Sequence, residues 1–118
     1  MRSLGSAIGE VLALGAMRWV VAHFPEGAVA GGRDGTRLAL GSVALPASAI
    51  AGANGAGDAF AAGMLYALHE DWPIAEALRL AHACAAASMT AVSTTEGVRT
   101  VAECLALAEK WGLRPLPD

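Results

Sequence analysis

The sequence predicts an α/β domain in which a short β-hairpin or meander is combined with about three to four helices. Three observations carry that reading. Thr36 to Leu40 alternates polar and apolar side chains, whereas from Gly57 onward the apolar period becomes 3.6. Asp34-Gly35 stands between two strand-like runs as a hairpin turn signal. The 118 residues are 55% hydrophobic and 16% charged, which suits one packed domain spanning 1–118 and excludes a disordered chain.

In chain order, Ser3 to Ala16 reads as an Ala/Leu-rich helix with Ile8, Val11, Leu12 and Gly15 on one face. Trp19 to Ala22 is a short apolar run of strand character, and Glu26 to Ala30 is a second. Gly31 to Gly35 forms a turn cluster, and Thr36 to Leu40 a third strand. Ser42 to Ile50, which contains Pro46, reads as extended and loop-like. Gly57 to His69 is a helix with Phe60, Met64, Leu65 and Leu68 at core spacing. Pro73 opens the next helix, where its missing N–H costs nothing, and Ile74, Ala77, Leu78, Ala81, Ala85 and Met89 share one face. Thr100 to Trp111 is the last helix, with Thr100 and Glu103 spaced as a capping box and Gly112 and Pro115 as stop signals.

Composition narrows the function. The net charge is −3 and Lys110 is the single lysine, so no basic stripe exists to meet nucleic-acid phosphates. No apolar stretch reaches the roughly 18 residues of a membrane span, and Gly9 and Glu10 break the apolar start too early for a signal peptide. Cys84 and Cys104 fall in helical patterns without C-x-x-C spacing, as expected of a reduced, cytoplasmic protein.

The most informative stretch is "AGANGAGDAFAAGMLYAL", Ala51 to Leu68. It is not a P-loop, because no Gly-Lys-Ser/Thr is present. It is not the dinucleotide fingerprint, which needs Gly or Ala where Phe60 stands. What remains is Gly55-Ala56-Gly57-Asp58 leading into a helix. Glycines let successive N–H groups point outward and the helix start adds partial positive charge, a cradle for an anion or an anionic transition state. Asp58 in the first turn is placed to take a proton from a hydroxyl. The plainer alternative is that Asn54 caps the helix and Asp58 offsets its dipole, for about 0.3–1 kcal/mol. On spacing alone both remain open.

"GANGAGDAFAAGMLYAL" resembles the C-terminal signature of the ribokinase-like (PfkB) carbohydrate kinases, written D-T-x-G-A-G-D-x-F. The resemblance extends to "WVVAHFPEGAVAGGRDG" upstream, similar to a strand, nucleotide turn and strand, and to "PIAEALRLAHACAAASMTAVSTTEG" downstream, similar to the helices over the ATP site. It covers about Arg18 to Trp111 and implies a partial ribokinase-like fold. It further implies that Asp58 is the catalytic base, that Gly55, Ala56 and Gly57 form the anion hole, and that Gly27 is the second glycine of the nucleotide turn. His82 falls where the family places a side chain against adenine; the alternative is a helix histidine facing a polar neighbour or solvent. With Gly27 and His82, Asn54 is the third nucleotide-binding residue that the resemblance implies. ATP and Mg²⁺ are the implied cofactors, with no metal ligand assigned in this chain.

The departures are specific. Gly52 stands where the family has an Asp that helps hold a monovalent cation, so that site lacks its carboxylate. Phe24 replaces the first glycine of the nucleotide turn, and His23 beside it reads as structural rather than as a phosphate contact. The family's N-terminal portion, with its Gly-Gly sugar signature, lid strands and N-x-x-E motif, has no counterpart: Asn54 is the single Asn, and Gly31-Gly32 falls in the predicted turn. The expectation is therefore a nucleotide-binding kinase fragment, weak or inactive alone, that self-associates or pairs with a complementary N-terminal piece and meets a sugar only when so completed. The alternative is a non-catalytic interaction or oligomerisation module that retains the fold fragment.

Overall fold

A computed structural model describes residues 8–11, 13, 18–52, 55–90 and 100–116. Three antiparallel strands, β1 (Trp19–Phe24), β2 (Gly27–Gly32) and β3 (Arg37–Gly41), form a sheet in the order β1-β2-β3. Three helices follow: α1 (Ala56–His69), α2 (Ile74–Met89) and α3 (Val101–Trp111). Residues 8–11 and 13 are also helical, within the first predicted helix. No helix among the described residues is long and apolar enough to cross a membrane.

The two hairpin turns follow from local chemistry. Phe24 pairs with Gly27 across the two-residue turn Pro25-Glu26, so Glu26 lies in the turn rather than in the second strand. Between β2 and β3, Gly35 takes φ 96° and donates its N–H to Gly32 C=O at 3.1 Å, while Asp34 Oδ1 accepts from Thr36 N–H at 2.9 Å. A positive φ is what glycine adopts without strain, and an Asp side chain commonly closes such a turn on the backbone two residues on. Gly31 and Gly32, expected in this turn, instead complete β2. A Cβ on Gly31 would collide with the Ile8 side chain, and one on Gly32 would come 2.8 Å from the Trp19 ring. Their bareness serves packing on a strand.

The sheet is covered on both faces. Ala28 and Ala30 of β2, with Val21, Leu38 and Leu40, join the helical core. Val29 faces the other way with Ile8, beside Val20, Ala22 and Phe24. This alternation is the period-two consequence of a pleated strand. On the first helix Ile8 is buried as expected, whereas Val11 is exposed; Leu12 and Gly15 lie outside the described residues.

Helix α2 occupies the centre and is buried nearly all round, through Ala77, Leu78, Leu80, Ala81, Ala83 and Ala85 to Ala87. Small side chains let its neighbours approach closely. At Gly63 of α1 a Cβ would come 2.9 Å from Ala81 Cα, so the two helix backbones meet there. The buried face of α1 is thus Phe60, Gly63, Met64 and Ala67; Leu65, expected in the core, is 69% exposed. α1 ends in a tight turn in which Trp72 N–H donates to Ala67 C=O at 2.9 Å and Asp71 N–H to Leu68 C=O at 3.2 Å, with Asp71 at φ 60°. α3 starts at the predicted capping box: Glu103 N–H donates to Thr100 Oγ1 at 3.1 Å and Thr100 N–H to Glu103 Oε1 at 3.0 Å. After α3 the chain returns to the sheet, where Leu113 bridges Val43 and Gly41 leaves room for the Arg114 carbonyl.

Gly63→Ala should lower stability by about 1–3 kcal/mol in urea unfolding, because the new methyl meets backbone that cannot yield. Gly57→Ala, where nothing would lie within 4 Å of the new Cβ, should change stability by less than about 0.5 kcal/mol.

Candidate functional site

The segment leading into α1 is anchored by the end of α2. Met89 C=O accepts from the N–H groups of Ala51 at 2.8 Å and Gly52 at 3.3 Å. Asn54 lies outside the described residues. The N-cap of α1 is Gly55, at φ 83° and ψ 0°, with no side-chain cap hydrogen bond. Ala59 N–H already donates to Gly55 C=O at 2.9 Å, so the amides of Ala56, Gly57 and Asp58 are those that helical geometry leaves without an intrahelical acceptor. Asp58 is exposed in this first turn. Gly57 differs from the glycines of the sheet and of Gly63, whose missing Cβ atoms are required by close neighbours. Neither packing nor a positive φ demands glycine at 57.

Beside this helix start lies a cavity of about 320 Å³ between the end of the β1–β2 hairpin, the Ser42–Ile50 segment and α2. Its walls are mostly apolar, among them Val43, Leu45, Ala85, Ala86 and Met89, and Ala56 contributes from α1. The polar groups at its edge include His23, His82, Ser42 and Arg114. A concave apolar site with a few polar groups is the usual form of a small-molecule pocket.

His82 is 1% exposed and its Nε2 lies 3.1 Å from Leu40 C=O. A carbonyl can only accept, so Nε2 carries the proton and Nδ1 is a bare acceptor. That Nδ1 is buried and has no hydrogen-bond partner. Burial, with a smaller contribution from nearby His23, pushes the imidazole down from 6.5 to about 4, against the opposing pull of the Leu40 carbonyl. His23 stacks on Phe60, with ring centroids 3.9 Å apart and planes 7° from parallel, and His82 meets Phe60 edge-on at 5.1 Å. Burial lowers the His23 pKa as well. His23 is therefore tied into an aromatic cluster, as its structural reading anticipates, and also borders the cavity.

Ala56 and His82 thus meet at one cavity. Gly55, Gly57 and Asp58 stand at the adjoining helix start rather than in its walls. Gly27 lies away from them: it is buried in β2, where a Cβ would come 2.6 Å from Leu40 O and 2.9 Å from Leu116 Cδ1. Its neighbours Phe24 and Pro25 line the cavity instead. Val43, Leu45 and Arg114 were not legible as site residues, because nothing in a loop or in a segment past a helix stop signals which wall it will form.

A small antiparallel sheet carrying a helical layer, with a glycine-led helix start beside an apolar cavity, makes a partial α/β unit. The family model described as pfkB family carbohydrate kinase matches residues 3–101, and the chain belongs to that family. It is also 33% identical, over 84 residues, to a 5-dehydro-2-deoxygluconokinase of Geobacillus kaustophilus (strain HTA426). The match covers 71% of this chain and 24% of that relative, so the chain spans about a quarter of the relative's length.

The His82 pKa has a consequence for stability. The native state holds the imidazole neutral to about pH 4 whereas the unfolded chain protonates it near 6.5. Stability is therefore full above pH 6.5 and falls as pH drops from 6.5 towards 4, by an amount on the order of 3 kcal/mol. His82→Gln keeps a donor for Leu40 C=O and should flatten this dependence in unfolding curves measured across that window.

Proposed function

We propose that this chain is the C-terminal, nucleotide-binding portion of an ATP-dependent carbohydrate kinase. The observation that carries the reading is an apolar cavity, lined by His82 and Ala56, that adjoins the open helix start of α1. A flat, largely apolar base such as adenine fits the cavity's chemistry. The nucleotide phosphates would then reach towards the amides of Ala56, Gly57 and Asp58.

In the completed enzyme Asp58 takes the proton of a sugar hydroxyl. The oxygen bonds to the γ-phosphorus as the bond to the β,γ-bridging oxygen breaks, and ADP leaves. The Gly55–Gly57 backbone steadies the charge on the transferring group, which is most of what phosphoryl transfer asks of a protein. The glycine at 57, unexplained by packing, suits a close approach by the phosphoryl oxygens. Among the described residues no group of three or more His, Cys, Asp or Glu side chains could hold a metal, so these residues offer no cage for Mg²⁺. Gly52 likewise offers no carboxylate to a monovalent cation.

The test is ATP binding, followed by thermal unfolding of the chain with ATP and Mg²⁺. The expected outcome is an upward shift that Gly57→Val weakens at least tenfold in apparent affinity, while Asp58→Asn keeps it. No shift with the parent chain would sink the nucleotide reading. Phosphoryl transfer by the chain alone should be slight or absent.

A second reading rests on a different feature. Helix α1 turns Ala61, Ala62, Leu65 and Tyr66 outward on the side that carries Asp58, with Leu65 69% and Tyr66 46% exposed. Exposed apolar faces of this kind mark interaction surfaces. Such a face suits self-association or a complementary N-terminal piece, and it would serve equally in a non-catalytic module. Leu65→Glu should shift the chain towards monomer in sedimentation analysis; an unchanged distribution would remove this face from the interface.

A further inference from the structure

The cavity wall formed by the segment past α3 carries a charge that the fold does not use. Arg114 N–H donates to Ser42 C=O at 2.7 Å, Ala44 N–H donates to Gly112 C=O at 2.8 Å, and Leu113 bridges Val43 between them. Gly41 is bare where the Arg114 carbonyl comes against it, since a Cβ there would collide with that oxygen. These contacts fix Arg114 at the wall, and all of them are made by backbone. Arg114 itself is exposed. Among the described residues its guanidinium has no hydrogen-bond or ion-pair partner. Other cations are engaged: the Arg37 guanidinium donates to Gly32 C=O at 3.3 Å and to Thr36 C=O at 2.8 Å, and Lys110 Nζ lies 4.8 Å from the Trp111 ring centroid.

The rest of the cavity does not balance that charge. No Asp, Glu or Lys lines it, and burial lowers the pKa of both His82 and His23, so both imidazoles are mainly neutral at pH 7. Asp58 stands exposed at the adjoining helix start, outside the walls. In a chain of net charge −3, the cavity thus presents one full charge, and it is positive. Apolar walls reduce the screening of a charge at their edge, which strengthens its pull on an anion. A guanidinium also presents a planar fork of donors that matches a phosphate.

Resting on the nucleotide reading above, we propose that Arg114 binds a phosphate group of the nucleotide, a second anion contact besides the amides of α1. The apolar walls take the base whether or not phosphates follow it. Arg114 rewards only a ligand that brings negative charge, and so makes the cavity select nucleotides over the bare nucleoside.

The experiment measures the affinities of ATP, ADP and adenosine by titration calorimetry, at constant Mg²⁺, for the parent chain, Arg114→Gln and Arg114→Lys. Arg114→Gln should bind ATP and ADP roughly five- to tenfold more weakly than the parent and adenosine equally well. Arg114→Lys, which keeps the charge without the fork, should lose less for ATP and nothing for adenosine. Added salt should weaken ATP binding more in the parent than in the Gln variant. If the Gln variant fails to fold, the Lys variant decides alone by the same comparison of ATP with adenosine. Unchanged ATP affinity in the variant that decides, or an equal loss for ATP and adenosine, would overturn the proposal while leaving the nucleotide reading intact. A parent that binds none of the three ligands would sink that reading and this inference together.

Discussion

The central constraint in this molecule is the close packing around α2. A helix packed closely on nearly every side is served by small side chains, and Ala77, Ala81, Ala83 and Ala85 to Ala87 supply them. Because its flanks are mostly methyl groups, α1 comes in until the backbones meet at Gly63 and Ala81. The sheet meets the same helix through Ala28 and Ala30. Alanine buries little area per residue, so cohesion comes from many short contacts at high packing density rather than from a few large anchors.

That packing sets where the site can form. His82 projects from α2 towards β3 and ties the helix to the sheet through the Leu40 carbonyl. One to two helical turns further on, Ala85, Ala86 and Met89 line the space beside the Ser42–Ile50 segment, where the cavity lies. The end of α2 then holds Ala51 and Gly52 through the Met89 carbonyl, which fixes how the chain enters the glycine-led start of α1. Cavity and helix start are neighbours because one helix positions both.

The proposed nucleotide site would give these features a common use. A phosphoryl-transfer enzyme needs a place for its donor's nucleobase, a patch of outward N–H groups for charge in motion, and a general base at the point of attack. The chain offers candidates for all three. It also leaves an apolar face beside Asp58, and a partner covering that face would come to lie near the carboxylate.

Much of the fold was legible because it depends on local chemistry. The change of period from two to 3.6, the Asp34-Gly35 turn, Pro73 at a helix entrance and the Thr100–Glu103 box each act within a few residues, and each stands where the pattern puts it. The glycine-led start of α1 and its first-turn acid are local in the same sense. Legibility ended where an outcome depended on segments distant in sequence. Gly31 and Gly32 looked like turn residues until Ile8 and Trp19 came to rest against them, and Leu65 looked like core until Gly63 and Ala67 turned the other face inward. His82 became a buried neutral imidazole only when β3 brought the Leu40 carbonyl to accept its Nε2–H hydrogen bond, and Val43 and Arg114 became walls only through the return of the chain after α3. The sequence by itself determined the elements, their ends and the chemistry carried on the helix start. Tertiary structure alone decided which face each element buried and which distant groups share a cavity, because those depend on how closely backbones approach, and the spacing of residues along the chain does not encode that distance.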